Sequence, residues 1–400
     1  MPAHSPWALC KALPERHRTY EIHNETESVV LLHAHLDYMS NGFDSIATWA
    51  KGWKARLGNN YLLPKHKDPP AKVRPVAQGF CVLWVRLANI SARILNYLVA
   101  RTFALDTDWV LWQTFDARPS ADEWTTAWRT LEGPFGLIGI CCDATGMFLN
   151  LPHPRTLFFI DALCEAAAAL GITQLSVRRT GRGGVFAGKP PDKGSYAVVT
   201  LAQVRLLARY SIKWLVSRLG TLVIRQKHGY PMGMPESLPL SVGLCAWDEW
   251  QFRTSLGVDA RYLRVKRYVD DAIAGAFYRT DGGHPSLEFA RALLDRWRNC
   301  CYDSNLSIDI TSSSEDWCEF LDGIWRYIAH SRTVCITPRD KNLIGLLELG
   351  YRPIVRTSTT IPMCPGECYA ARSSRLWSEC PGLHPPLATF SLPRKLISLS

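Results

Sequence analysis

The residues best placed to do chemistry are two adjacent carboxylates, Asp270 and Asp271, in the string Tyr268-Val269-Asp270-Asp271. Alternating apolar residues flank them from Tyr262 to Ala276, which predicts a β-hairpin with the pair at its turn. Neighbouring carboxylates repel, and an apolar setting makes them costly without counter-charge. Divalent cations supply that charge, and Mg²⁺ takes carboxylate, phosphate and water oxygens. A two-metal site for phosphoryl transfer needs about three acidic donors around ions roughly 4 Å apart. The third donor is Asp143, which ends the apolar run from Phe135 to Cys142, a buried strand. With the two strands side by side, the three carboxylates meet at one sheet end. The plain alternative is that the pair sits in a solvated turn.

Three further groups accompany the carboxylates. Lys65, Lys67, Lys72 and Arg74 lie in a segment from which Pro64, Pro69 and Pro70 exclude helix. Such cations can clamp a triphosphate, or they form an ordinary basic loop. Gly229-Tyr230-Pro231-Met232-Gly233 has glycines that let a backbone pass close to a nucleic-acid strand, or it is a simple strand-to-helix turn. Phe148 follows Asp143 by five residues, either as a core ring or as a ring that packs under a sugar and excludes a 2′-hydroxyl.

The elements that must position these groups are mixed. Helical spacing runs from Phe80 to Phe103, Arg155 to Leu170, Pro235 to Trp250 and Ser286 to Cys301. Thr200 is placed to cap a helix reaching about Leu219. Short strands are expected at Leu306–Ile310 and Phe320–Tyr327. Residues 1–60 read as mostly helical, and 176–195 as a mobile Gly/Arg/Pro-rich loop. Helices interleaved with antiparallel hairpins make the fold class α+β.

Bulk composition is that of a basic globular chain, which suits nucleic acid or an anionic membrane, although many basic proteins bind neither. The 400 residues are 47% hydrophobic with a formal charge of +10, which suits a polyanionic partner. No 18-residue apolar stretch lacks charges, so neither a membrane-spanning helix nor a membrane partner is expected. The N-terminus lacks the apolar core of a secretory signal. The 13 scattered Cys suit a reducing, intracellular compartment rather than a disulfide scaffold.

Basic segment, single Asp, glycine turn and paired Asp come in the order a right-hand polymerase requires. In detail the chain resembles reverse transcriptases of the Penelope-like retroelement branch, over roughly residues 61–380. Leu63-Pro64-Lys65-His66-Lys67 with Arg74-Pro75-Val76 is similar to that family's fingers motif. The stretch from Asp143 to His153, with Phe148, Asn150 and Pro152, resembles its first palm motif. Gln226, Gly229, Met232 and Gly233 match its second, and Tyr268 to Asp271 its third. Glu319-Phe320-Leu321-Asp322 resembles its primer grip; Pro338 to Asn342 and Arg372 to Leu376 match its thumb more loosely. The chain departs from the family in the turn Met234 to Pro239, in the insertion at 176–195, and in having no GIY-YIG-type endonuclease after the thumb strings.

The resemblance implies a right-hand fold: an N-terminal helical extension (1–60), fingers (61–135), a palm with an antiparallel sheet (136–328), and a helical thumb with a tail (329–400). It implies a reverse transcriptase, an RNA-directed DNA polymerase that extends a DNA primer with dNTPs on an RNA template, and a nuclear location. Asp143, Asp270 and Asp271 would hold two Mg²⁺, with Mn²⁺ as an alternative. Lys65, Lys67, Lys72, Arg74 and Phe148 would bind the dNTP. Gln226, Gly229, Met232, Gly233, Tyr268, Phe320 and Leu321 would contact template and primer. Two competing readings are an inactive nucleic-acid-binding relic of a retroelement and an RNA-templated RNA polymerase. Cys364, Cys368, Cys380 and His384 form a C-x3-C-x11-C-x3-H string, either a zinc site or scattered thiols.

Overall fold

A strand buried on both faces must be apolar throughout, and the run from Phe135 to Cys142 meets that demand by lying inside a four-stranded antiparallel sheet. The computed structural model describes residues 20–23, 60–64, 73–77, 85–179, 184–192, 194–213, 215–219, 222–321 and 323–338. In chain order these hold β1 (Tyr20–His23), β2 (Asn60–Pro64), β3 (Val73–Ala77), α1 (Val85–Arg101), α2 (Phe103–Thr107) and α3 (Ala117–Arg129). Next come β4 (Phe135–Thr145), α4 (Met147–Asn150), α5 (His153–Ala169), β5 (Gln174–Arg178), β6 (Val185–Ala187), β7 (Tyr196–Thr200) and α6 (Leu201–Lys213). Then follow β8 (Val216–Leu219), β9 (Leu222–Gln226), α7 (Ser237–Leu256), β10 (Leu263–Tyr268), β11 (Asp271–Arg279) and α8 (Leu287–Cys300). The last described strands are β12 (Ser307–Ser314), β13 (Trp317–Phe320), β14 (Gly323–Ile328) and β15 (Thr333–Pro338).

The central sheet has the order β10-β11-β4-β12, every pair antiparallel. One face is covered by α3 and the β13-β14 hairpin. There Gly139 and Gly275 stand opposite each other, and a Cβ on either would strike Tyr327 at 2.1 Å or Trp124 at 2.7 Å. The two glycines therefore form a trough for large rings, and Trp124 packs on Trp325 with centroids 5.3 Å apart. The other face is covered by α7 and α8. Ser286 caps α8 by accepting the Phe289 N–H at 3.2 Å, and Ala290, Leu293, Leu294 and Trp297 form its buried stripe. Truncating Leu294 to Ala would cost roughly 2–5 kcal/mol.

Several elements differ from their sequence readings. The expected mobile loop at 176–195 is largely folded: β5, β6 and β7 make a three-stranded antiparallel sheet, because Val185-Phe186-Ala187 pairs with Leu175-Ser176-Val177. The helix capped by Thr200 stops at Lys213 and does not reach Leu219, since Val216–Leu219 pairs with β9. Within the stretch read as helical at the N-terminus, the piece described is a strand, β1, paired with β9. Of the expected helical thumb, the described residues 329–338 form one 3-10 turn, Ala329–Ser331, and then a strand, β15, which closes a sheet with β14.

Candidate active site

The β10-β11 hairpin turns in two residues, Val269 and Asp270, because Tyr268 pairs directly with Asp271. Val269 takes a left-handed φ of 56°, which a β-branched residue adopts only under constraint. Asp271 in turn stands directly opposite Asp143 on β4. The hairpin and the strand that sequence patterning singled out are thus neighbours in the sheet; Asp271 and Asp143 share one end and one face, with Asp270 in the adjoining turn. The Asp270 carbonyl accepts the Ala144 N–H at 2.8 Å, which ties the turn to the end of β4.

A fourth carboxylate joins the row. Asp309 on β12 stands opposite Asp143 from the other side. The Thr145 hydroxyl lies 2.7 Å from Asp309 Oδ2 and 3.2 Å from Asp143 Oδ2, and Ser307 Oγ donates to Asp309 Oδ1 at 3.0 Å. Those hydroxyls, Thr145 first, hold the Asp309 pKa below its ordinary value. Strand-like alternation around Ile308 was visible in the sequence, but the strand it would pair with was not.

Among the described residues, no three His, Cys, Asp or Glu side chains are gathered closely enough to hold a metal ion. The donor set still suits a hard divalent cation, since oxygen donors that repel one another are set in register along one sheet edge.

Beside the carboxylates, the segment after Asp143 clamps the glycine turn. The Gly229 N–H donates to Leu151 O at 3.0 Å, and the Tyr230 N–H donates to Phe148 O. The rings reinforce the backbone: His153 Nε2 lies 2.7 Å from Gly229 O, and His228 Nε2 lies 3.0 Å from Asn150 O. Burial pulls the His153 pKa down against the opposing bond to Gly229, and because a carbonyl only accepts, Nε2 is the donor in that bond. Gly229 has a φ of 66°, and a Cβ there would lie 2.4 Å from Leu149 O, so only glycine fits. Ser237 Oγ, at the start of α7, closes the loop by donating to Pro231 O at 2.7 Å. The Asn150, Pro152 and His153 tail therefore works as a bracket for the second motif.

The remaining expected site residues fall as follows. Phe148 is half-buried and is not part of the buried hydrophobic core. Met232 forms an isolated parallel bridge with Val76, which brings the β2-β3 hairpin against the glycine turn. Arg74 lies on β3 opposite Leu63. Gly233 is exposed with a φ of 102°, and Tyr268 is half-buried. Gln226 is buried and bonds His228 O at 2.8 Å, so it shapes the turn and does not face a strand of nucleic acid. Phe320 is buried against Trp325, and Leu321, at the hairpin tip with a φ of 50°, is half-buried and packs against the core. Lys65, Lys67, Lys72, Cys364, Cys368, Cys380 and His384 lie outside the described residues.

No family model and no curated protein matches the sequence. Solved structures do match. Telomerase from Candida albicans in complex with a TWJ fragment of telomeric RNA superposes with a TM-score of 0.50 at 11% identity, over 80% of this chain and 54% of that one. Apo telomerase from Candida tropicalis gives 0.51 at 12% identity, over 81% and 55%. The chain spans about half the length of the telomerase chains it matches. The likeness is one of fold, and the fold is the right-hand polymerase fold.

Proposed function

We propose that this chain is a nucleic-acid polymerase and, more narrowly, a reverse transcriptase of the Penelope-like type. It extends a DNA primer with dNTPs on an RNA template. The observation that carries the reading is the in-register pairing of Asp143 with Asp271, with Asp270 in the adjoining turn, within a right-hand polymerase fold. Asp143, Asp270 and Asp271 would hold two Mg²⁺, or Mn²⁺. Once bound, such ions acidify the primer 3′-hydroxyl and neutralise the leaving pyrophosphate.

The chain's own residues supply the rest. Lys65, Lys67, Lys72 and Arg74 neutralise the triphosphate. Phe148 fills the space a ribose 2′-hydroxyl would need. The bracketed turn from Gly229 to Gly233 carries the template and nascent pair, and Leu321 meets the primer end. An RNA partner also agrees with the telomeric RNA bound by the similar telomerase.

Primer extension by purified protein tests the proposal, with a DNA primer on an RNA template and either dNTPs or rNTPs. Extension with dNTPs is expected, and it should vanish in Asp271→Ala. Primer-template binding without extension in Mg²⁺ or Mn²⁺ would identify an inactive relic. A preference for rNTPs would identify an RNA polymerase.

A further inference from the structure

Arg267 sits three residues before Asp270 and points to the face of the sheet opposite Asp271. It is 1% exposed, and its partner Glu249 on α7 is 0% exposed. Arg267 Nε donates to Glu249 Oε1 at 2.5 Å and Nη2 to Glu249 Oε2 at 3.1 Å, while Tyr302 OH donates to Oε1 at 2.7 Å. Burial lowers the Arg267 pKa, but the facing Glu249 carboxylate outweighs it and keeps the guanidinium charged. The Tyr302 pKa is also raised, first by burial and then by the Glu249 charge, so its hydroxyl stays a donor.

An ion pair this deep is weak evidence of stabilisation, because hydrophobic residues of similar volume often replace such pairs without loss. The remaining donors of Arg267 suggest what keeps it there. Nη2 also reaches Val242 O at 3.3 Å, and Nη1 reaches Val269 O at 3.0 Å. The Val269 carbonyl belongs to the peptide that enters Asp270. The peptide that leaves Asp270 is held by the Ala144 N–H at 2.8 Å. Both peptide planes around Asp270 are therefore fixed, one by a buried guanidinium and one by the strand that carries Asp143. The same bond braces Val269 in the left-handed conformation that the two-residue turn requires and that a β-branched side chain disfavours.

We propose that Arg267, braced by Glu249 and Tyr302, is a positioning residue that sets the Asp270 carboxylate for cation binding. The proposal rests on the polymerase reading above. Its test replaces the pair by apolar side chains of similar volume, Arg267→Met with Glu249→Met, and adds Arg267→Lys as a second variant. Lys keeps a charge against Glu249 but cannot span Glu249 and Val269 together.

Three readouts are needed: a melting curve, Mn²⁺ affinity of the protein by electron paramagnetic resonance, and primer extension as a function of Mg²⁺. The expected result for each folded variant is a melting temperature near wild type, Mn²⁺ binding weakened about 10-fold, and extension slowed about 10²-fold with a higher Mg²⁺ requirement, the scale for reacting groups misplaced by about 1 Å. A folded variant with wild-type Mn²⁺ affinity and Mg²⁺ dependence overturns the proposal. So does failure of both variants to fold, which would make the cluster a folding element. If wild type extends no primer, the polymerase reading falls, and the Mn²⁺ titration still decides whether the clamp sets the carboxylates.

Discussion

Glu236 gives a pH signature that can be worked from the structure. It stands at the start of α7, is 3% exposed, and accepts a hydrogen bond from Ser211 Oγ at 2.6 Å. Ser91 lies on its other side, yet Glu236 Oε2 and Ser91 Oγ both lack a well-formed hydrogen bond. Burial raises the carboxyl from 4.5 to about 7, against the opposing hydroxyls. The folded protein thus holds this proton more tightly than the unfolded chain does. Its contribution to stability is fullest below about pH 4.5, is lost as pH rises toward 7, and changes no further above that. The displacement corresponds to roughly 3 kcal/mol at most, and relaxation of the site brings the expected loss to about 1–2 kcal/mol. Glu236→Gln removes the titration while keeping shape and an amide donor for Ser91. Urea unfolding of wild type and variant at pH 5 and pH 8 isolates the effect. The variant should match wild type or fall slightly below it at pH 5, and exceed it by about 1–2 kcal/mol at pH 8. Parallel pH dependences in the two proteins would refute the reasoning.

Three other outcomes are expected. Asp271→Ala should cut extension by roughly 10³-fold or more, with no loss of melting temperature in metal-free buffer, since it removes a like charge facing Asp143; activity near wild type would remove Asp271 from the site. Phe148→Ala should lower dNTP-over-rNTP selectivity by roughly 10- to 100-fold, about 1–3 kcal/mol, as read by single-nucleotide incorporation; an unchanged ratio in a folded variant would return Phe148 to a packing role. Gly229→Ala should destabilise the fold by about 2 kcal/mol or more in urea, because its Cβ meets the Leu149 carbonyl in a left-handed turn; a neutral result would show that the bracket around the turn is loose.

What could be read from the sequence was what short-range pattern encodes. The alternation around Asp270 and Asp271, the apolar run before Asp143 and the helical stripe of α8 each gave the right element, because burial on one face or two leaves a period in the sequence. The strands β6 and β8 were missed because partners elsewhere decide them: Val185 to Ala187 is too short and glycine-flanked to signal by itself, and Val216 to Leu219 continues a helical pattern until β9 pairs with it. Asp309 was invisible as a site residue since strand order is not a local property. Arg267 was hidden for a related reason: beside two acids and a lysine it looks like a solvated charge, and only the packing of α7 and Tyr302 shows it buried.

The pleat of β4 sets how this site tolerates change. Gly139, Cys141 and Asp143 share one face, and Ile138, Ile140 and Cys142 the other. A single residue inserted between Gly139 and Asp143 would either carry the carboxylate to the face beneath α7 and α8 or, with Asp143 held in place, turn Gly139 away and push a bulky neighbour into the ring trough. Substitutions along β4 are graded injuries, whereas a one-residue insertion or deletion is an all-or-none one. The neighbouring β12 already contains such an irregularity, with the register shifting between Ile310 and Ser312 while Asp309 stays in phase with Asp143. Length variation in this lineage should therefore collect at that edge strand, beyond Asp309, and be absent from β4 and β11.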